Sequence, residues 1–333
     1  MIRIAIEDKI PFIRGVFDDH ADVGYLKTSE ITNERLKDYD ALITRTRPAV
    51  DSKLLEGTKI RFIGSATIGL DHIDIDYCRS KGIKVVNAPG CNAPAVAQWV
   101  ISSIGRYVPN RDGLTLGVVG VGNVGKIVTQ WAPLLNLNVL SCDPPRALKE
   151  GPEGFVDLDV IAREADIITF HTPLIKEGEY KTYHLADRTF FDKLVKRPLI
   201  LNASRGQVVD TEALLDALSK DKVRGAIIDC WEGEPEINRG LLRDALVATP
   251  HIAGYSIEGK KRGTLAMIRA IEEEFGIRVN QVEDLEPKIK GLDAQMIIES
   301  YNPTIDSEML KESPQSFERL RDNYHYRHEP LWD

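Results

Sequence analysis

Short apolar runs alternate with stretches of helical periodicity along almost the whole chain, the pattern of parallel sheets with crossover helices. Ile2–Ile6, Ala41–Thr44, Phe62–Gly64 and Lys84–Val86 read as strands of a first lobe. A long helix follows, with Asn92 at its cap position and Pro94 in its first turn. Val96, Trp99, Val100 and Ile104 share one face of it, and Pro109 ends it. It leads into a second strand system with runs at 116–119, 138–142, 167–170, 199–203, 225–229 and 246–249. Past Tyr255, the stripe Met267, Ile268 and Ile271 predicts a helix over 264–275 that returns to the first lobe. The last fifty-odd residues are richer in charge, hold Pro303 and Pro314, and read as a small appended module outside both lobes. The expected fold class is α/β, with two doubly wound parallel-sheet lobes formed by 1–92 with 256–278 and by 93–255, then a C-terminal module over 279–333.

The first strand of the second lobe carries a glycine turn, Val118-Val119-Gly120-Val121-Gly122-Asn123-Val124-Gly125, and the next strand delivers Asp143. Gly120 permits the tight turn, Gly122 lets backbone approach a pyrophosphate, and Gly125 lets the following helix pack on the strand. That helix offers free N–H groups and a positive dipole end. A carboxylate at 143 accepts the ribose hydroxyls of NAD and repels the 2′-phosphate of NADP, although Arg146 close by leaves an NADP alternative. The second lobe therefore reads as a Rossmann NAD lobe and the first as a flavodoxin-like substrate lobe. A methyltransferase-like turn and a merely structural turn are the alternatives.

At 333 residues the chain is long for one core, and two lobes are the default. A net charge of −8 with no basic run argues against nucleic acid as a partner. No apolar stretch reaches membrane-spanning length, and the N-terminus opens into a strand rather than a signal peptide. Cys78, Cys91, Cys142 and Cys230 lack metal or disulfide spacing, so the reading is buried thiols in a reducing cytoplasm, with no metal.

Ligands of open α/β sheets bind beyond the carboxyl ends of the strands. Those ends present Ser204-Arg205-Gly206, Asp229 with Trp231-Glu232-Gly233-Glu234-Pro235, and His251-Ile252-Ala253-Gly254-Tyr255. Arg205 suits a substrate carboxylate, because its planar fork matches two oxygens. His251 suits removal of a hydroxyl proton as hydride leaves, and Glu234 suits the far ring nitrogen. Glu232 competes with Glu234 for that role, Arg205 could instead form a surface ion pair, and His251 a satisfied core histidine. His171-Thr172-Pro173 follows a strand on the same edge and reads as a loop lining the adenosine side. In the first lobe Thr44-Arg45-Thr46-Arg47 follows a strand and suits a dianionic phosphate.

The segments Gly120–Gly125, Asn202-Ala-Ser-Arg205-Gly, Asp229-Cys-Trp-Glu-Gly-Glu234-Pro and His251-Ile-Ala-Gly resemble the D-isomer-specific 2-hydroxyacid dehydrogenases. Ala88-Pro-Gly-Cys91-Asn-Ala, Cys142-Asp-Pro-Pro-Arg146, Phe170-His-Thr-Pro-Leu174, His184-Leu-Ala-Asp187 and His251–Lys260 are similar to one branch of that family. The likeness runs from Met1 to about Thr264 and returns weakly in the tail. It implies oxidation of 4-phospho-D-erythronate to 2-oxo-3-hydroxy-4-phosphobutanoate with NAD, in the making of pyridoxal 5′-phosphate. It carries over Arg205, Glu234 and His251 as the catalytic set, and NAD contacts at Asn123, Val124, Asp143, Thr172, Asp229 and Gly254. Substrate contacts fall at Thr46, Thr67 and Tyr255. It also implies a homodimer, through a C-terminal dimerisation module that is shortened here, the sequence ending soon after Arg327-His-Glu-Pro. One expectation for the tail is that Arg321 or Arg327 reaches the substrate phosphate of a neighbouring subunit. The rival readings are another D-2-hydroxyacid dehydrogenase, of phosphoglycerate type or acting on an unphosphorylated acid, and a non-catalytic NAD-sensing corepressor.

Overall fold

A computed structural model describes residues 1–279 and 291–330; of the module expected over 279–333, residues 280–290 and 331–333 lie outside the described residues. The chain forms two compact units, Met1–Asn92 with the stretch that begins at Ser256, and Ala93–Tyr255 with the C-terminal residues.

The first unit is built on a parallel sheet of β1 (Arg3–Glu7), β2 (Asp22–Leu26), β3 (Ala41–Thr44), β4 (Phe62–Ser65) and β5 (Lys84–Val86). Its order is β2-β1-β3-β4-β5, the flavodoxin-like arrangement. Side chains alternate between two cores: Ile4, Ile6, Ala41, Ile43 and Phe62 face one, and Ala5, Leu42 and Ile63 face the other. Both faces are apolar, which is why these strands are continuous apolar runs. β2 is absent from the sequence reading. It is a partly exposed edge strand whose central Gly24 lies so close to Tyr39 that a Cβ would fall 2.1 Å from the hydroxyl, so it carries little apolar signal. The helix Ile257–Phe275 starts about two turns earlier than the expected 264, because Ser256 accepts the Gly259 N–H at 2.9 Å and caps it. It buries Met267, Ile268 and Ile271 in the first of those two cores.

The second unit holds β6 (Thr115–Val119), β7 (Asn138–Cys142), β8 (Ile167–Phe170), β9 (Leu199–Asn202), β10 (Gly225–Ile228) and β11 (Val247–Ala248). All pairings are parallel and the order is β11-β10-β9-β8-β6-β7. The strand order reverses between β6 and β8, so the crevice for a ligand opens there. The outermost strand of a full Rossmann half is reduced to a backbone hydrogen bond of 2.8 Å from Val156 N–H to Ser141 C=O. The helix Ala93–Tyr107 is buried on every side from Ala93 to Ile104. Asn92, expected as its cap, has a buried Oδ1 with no hydrogen-bond partner.

The helix Pro303–Glu312 packs on β11, Ala294–Ser300 packs on the helix Ala93–Tyr107, and the helix Phe317–Asp322 follows them. Ile297 and Tyr301 enter the core on the face that holds Trp99, and Leu310 and Phe317 enter the opposite core. Arg327 closes the arrangement. Its Nε donates to Gln98 at 2.9 Å, one terminal nitrogen to the carbonyls of Ile252 and Tyr255 at 3.1 Å each and the Tyr324 hydroxyl at 3.2 Å, and the other to the Ala95 carbonyl at 3.0 Å and that of Ala253. Every N–H of the guanidinium is thus spent within its own chain. The expectation that Arg327 reaches a neighbouring subunit fails for that reason. Arg327→Ala would strand four buried carbonyls, and the expected loss is at least about 2 kcal/mol, read from urea unfolding at neutral pH; an unchanged midpoint would show that water replaces the guanidinium at no cost.

Candidate active site

The glycine turn lies at the strand-order reversal, and each glycine has a distinct steric reason. Gly120 has φ +86, and a Cβ there would lie 2.8 Å from the His171 carbonyl carbon. A Cβ at Gly125 would lie 2.1 Å from the Gly120 carbonyl oxygen, so helix and strand touch at that point. A Cβ at Gly122 would meet nothing within 4 Å; its freedom is needed only by a ligand that comes against the backbone. The helix Asn123–Trp131 begins there with no side-chain cap, which leaves the first-turn N–H groups of Asn123, Val124 and Gly125 for an anion.

Asp143, at the end of β7, accepts the Val121 N–H at 2.8 Å and the Arg146 N–H at 3.1 Å, and so ties the second strand end to the glycine turn. Arg146 gives its Nε and one terminal nitrogen to Glu150 at 2.8 and 2.6 Å and the other to the Val121 carbonyl at 2.7 Å. That placement does not offer it to a 2′-phosphate. Thr172 Oγ1 is buried without a hydrogen-bond partner beside Gly120. An orphaned hydroxyl against a phosphate turn is what a dinucleotide site shows before its ligand is counted. His171 is buried: burial pushes its imidazole down to about 3, and its Nε2 lies 3.0 Å from the Thr169 hydroxyl.

Further along the edge, Asn202 shapes the turn that presents Arg205. Its Oδ1 accepts the Ser204 N–H and hydroxyl at 3.1 and 2.8 Å, and its amide donates to the Arg205 carbonyl at 2.9 Å. Gly206 follows, and a Cβ there would sit 2.0 Å from the Trp231 carbonyl. Close approach at this glycine brings the Arg205 turn against the Trp231–Glu234 turn.

Glu234 and His251 meet at 2.7 Å, carboxylate Oε2 to ring Nδ1. The other Glu234 oxygen accepts the Trp231 N–H at 2.8 Å. Burial alone would push Glu234 up, but the nearby His251, its hydrogen bond and the Trp231 N–H outweigh it and hold the carboxyl below its ordinary value. With Nδ1 committed to Glu234, Nε2 is left for a substrate proton. His251 has φ +56, a left-handed backbone that a side chain adopts only under constraint.

The constraint comes from Asp229, at the end of β10 and buried. Its Oδ1 accepts the Thr249 hydroxyl at 2.6 Å and the Ile252 N–H at 2.8 Å; Oδ2 accepts the Ala253 N–H at 3.0 Å. Its backbone carbonyl accepts the His251 N–H at 2.9 Å. Burial raises its pKa against those donors. The carboxylate thus faces inward, to the loop that carries His251. Thr249 is pinned in turn by the indole N–H groups of Trp99 and Trp231, at 3.1 and 2.9 Å.

Glu232, the competitor, is committed elsewhere: one oxygen lies 2.7 Å from His184 Nε2 and the other accepts the Thr211 N–H at 2.9 Å. The Cys230 sulfur lies with ligand atoms of Glu234 and His251 within 4.8 Å, but burial lifts its thiol well above the ordinary range and keeps it neutral. Gly254 and Tyr255 continue the His251 loop, and the Tyr255 ring packs edge-on against Tyr324 and Tyr326. Arg321, expected to reach toward a neighbouring subunit, lies inside this unit. It hydrogen-bonds Tyr255, acts electrostatically on Glu234 and pairs with Glu318 at 3.1 Å. The parts that Asn202, Thr249, Trp99 and Trp231 play here escaped the sequence reading; three of them stand at strand ends, and Trp99 lies on the buried face of the helix Ala93–Tyr107.

In the first unit, β3 ends in Thr44 and hands over to Arg45, Thr46 and Arg47. The Arg45 carbonyl accepts the hydroxyls of Ser65 and Thr67 at 2.9 and 3.3 Å, so Thr67 stands beside Arg45. Thr46 and Arg47 are exposed next to them.

Residues 96–253 match the family described as D-isomer specific 2-hydroxyacid dehydrogenase, NAD binding domain. The chain is 46% identical to the erythronate-4-phosphate dehydrogenase of Bacteroides thetaiotaomicron over 98% of this chain and 97% of that one. It is 38% identical to that of Porphyromonas gingivalis over 97% and 92%. For an Escherichia coli erythronate-4-phosphate dehydrogenase the values are 43% identity over 83% of this chain and 74% of that one. Among solved structures, the TT0316 protein of Thermus thermophilus superposes with a TM-score of 0.70 at 25% identity, covering 84% of this chain and 99% of that one. A glyoxylate reductase from Paecilomyes thermophila gives 0.71 at 20% identity over 84% and 98%, a likeness of fold.

The Glu234–His251 bond carries a prediction. Glu234→Gln keeps the shape of the side chain but removes the charge that stands 2.7 Å from Nδ1, so kcat/KM for oxidation of a hydroxy acid is expected to fall by about 10²–10⁴. A variant that keeps the wild-type value would remove Glu234 from the proton relay.

Proposed function

The chain belongs to the D-isomer-specific 2-hydroxyacid dehydrogenase family, and within it to the erythronate-4-phosphate dehydrogenases, and we propose that it oxidises 4-phospho-D-erythronate at C2 to 2-oxo-3-hydroxy-4-phosphobutanoate with NAD in pyridoxal 5′-phosphate synthesis. The observation that carries the reading is the 2.7 Å His251–Glu234 pair on the sheet edge that also presents Arg205, in the unit with the glycine turn. Residues Gly120, Gly122, Asn123, Val124, Gly125, Asp143, Thr172 and Gly254 would hold the dinucleotide, the open backbone at Gly122 and the orphaned Thr172 hydroxyl being what favours the fit. Asp229, carried over as a further contact, would serve it through the loop it anchors. NAD, when bound, supplies the acceptor for the hydride that leaves C2.

The chain's own residues do the rest. Arg205 grips the C1 carboxylate and polarises the oxygen at C2. His251 Nε2 takes the C2 hydroxyl proton, and the imidazolium that results is stabilised by Glu234 on Nδ1. Arg45, Thr46, Thr67 and Tyr255 take the remainder of the substrate, with Arg45 toward the phosphate. The first unit is the substrate lobe and the second the NAD lobe.

The enzyme would work as a homodimer in the cytoplasm. Supporting this, Met296, Ile305 and Met309 expose apolar surface on neighbouring helices of the C-terminal segment, and the described residues contain four free cysteines. No helix among the described residues is long and apolar enough to cross a membrane. Replacing Ile305 and Met309 with lysine should convert a dimer to a monomer in light scattering; a wild-type monomer, or a dimer that survives the change, overturns the interface.

Substrate identity is tested by NADH absorbance with 4-phospho-D-erythronate, 3-phospho-D-glycerate and D-erythronate, with a 2-oxo acid present as acceptor and product followed directly. The phosphorylated four-carbon acid should win in kcat/KM by at least about tenfold per added phosphate contact. Better turnover of another acid would keep the mechanism and discard the substrate. Dinucleotide binding with no turnover of any acid would favour a sensing protein.

A further inference from the structure

The strand order of the first sheet reverses between β1 and β3, and two charged residues stand at that point: Glu7, the last residue of β1, and Arg45, the first after β3. Glu7 is fully buried. A buried carboxylate is tolerated only when its oxygens are satisfied, and here four donors converge on it. Arg45 supplies three, its backbone N–H at 2.9 Å, its Nε at 3.1 Å and a terminal nitrogen at 2.7 Å. The Thr28 hydroxyl supplies the fourth at 3.1 Å, while the Thr44 hydroxyl, 3.4 Å away, gives its hydrogen to the Arg47 carbonyl. The Arg45 carbonyl is held as well, by Ser65 and Thr67. Main chain and guanidinium of Arg45 are therefore both fixed, one edge of the fork being locked against Glu7 while the side chain keeps 20% of its surface exposed.

A planar fork reads a phosphate well only when its direction is set beforehand, because an arginine on a free stem must be ordered on binding. Glu7 sets that direction without contact with solvent, and at the position where ligands of such sheets bind. We propose that Glu7 is the positioning residue that aims Arg45 at the phosphate of the substrate and so decides the preference for a phosphorylated over an unphosphorylated acid; this rests on the functional reading above. A second consequence of the pairing works against affinity, since Glu7 neutralises part of the charge that draws a phosphate in. The two effects have opposite signs, and orientation is the larger in this account.

The test is Glu7→Gln in the full chain, which keeps the shape and removes the charge. With saturating NAD, KM for 4-phospho-D-erythronate should rise about tenfold with kcat within about threefold, and kcat/KM for D-erythronate should not change. In an Arg45→Met background, Glu7→Gln should have no further effect. A KM that is unchanged or lower would show that Glu7 only competes for the guanidinium and overturns the proposal. Equal losses with both acids, or a lost affinity for NADH in the second unit, would show a merely structural role and overturn it too. If the wild type turns over no phosphorylated acid, the functional reading falls by itself, and the affinity for inorganic phosphate by calorimetry then decides. Glu7→Gln must weaken it about tenfold, and an unchanged value overturns the inference.

Discussion

Asp229 is the residue on which the rest of the site depends. A carboxylate buried at a strand end must find donors, and the nearest are the Thr249 hydroxyl and the N–H groups of Ile252 and Ala253. Satisfying it wraps the chain around the end of β10 and forces His251, between those donors, into a left-handed backbone at φ +56. The conformation costs on the order of 1–3 kcal/mol. The hydrogen bonds to Asp229 and the contact with Glu234 offset it. What results is an imidazole whose orientation is settled before any substrate arrives, which is the condition for a general base to act without reorganisation.

The remaining groups are brought in by close backbone approach. Gly206 lets the Arg205 turn lie directly on Trp231, and the Trp231 N–H fixes the carboxylate that fixes His251. Arginine, acid and histidine come from three successive strand ends, yet each is tied to the next within one or two bonds. Glycine at 206 and at 120 and 125 thus does steric work that no side chain allows, whereas a Cβ at Gly122 would meet nothing within 4 Å. The C-terminal segment belongs to the same construction. Arg327 holds the carbonyls of Ile252, Ala253 and Tyr255 from the other side, so the His251 loop is gripped by Asp229 at its N–H groups and by Arg327 at its oxygens.

Much of this was legible in the chain alone, and the reasons are local. Buried parallel strands are apolar runs, the glycine turn has its own spacing, and reactive side chains follow strand ends, so ten of eleven strands and Arg205, Glu234 and His251 stand out without coordinates. β2 stayed hidden because an edge strand that is half exposed and built around Gly24 lacks the apolar pattern. Glu232 remained a competitor of Glu234 in the sequence, and only the structure shows that His184 and Thr211 take it. The tail was beyond periodicity altogether. Gln98 and Arg327 are 229 positions apart, and of the six oxygens that await the guanidinium only the Tyr324 hydroxyl lies near it in the chain.

The most direct measurement is on Asp229→Asn, which keeps the volume of the side chain while turning one acceptor oxygen into a donor. The quantities to compare are the single-turnover rate of oxidation and the affinity for NAD, with circular dichroism to confirm the fold. If Asp229 holds the His251 loop in register with Glu234, the rate falls by about 10² or more while NAD affinity changes far less. A rate that survives, or a loss confined to NAD affinity, would mean that Asp229 only touches the dinucleotide and that His251 is held by something else.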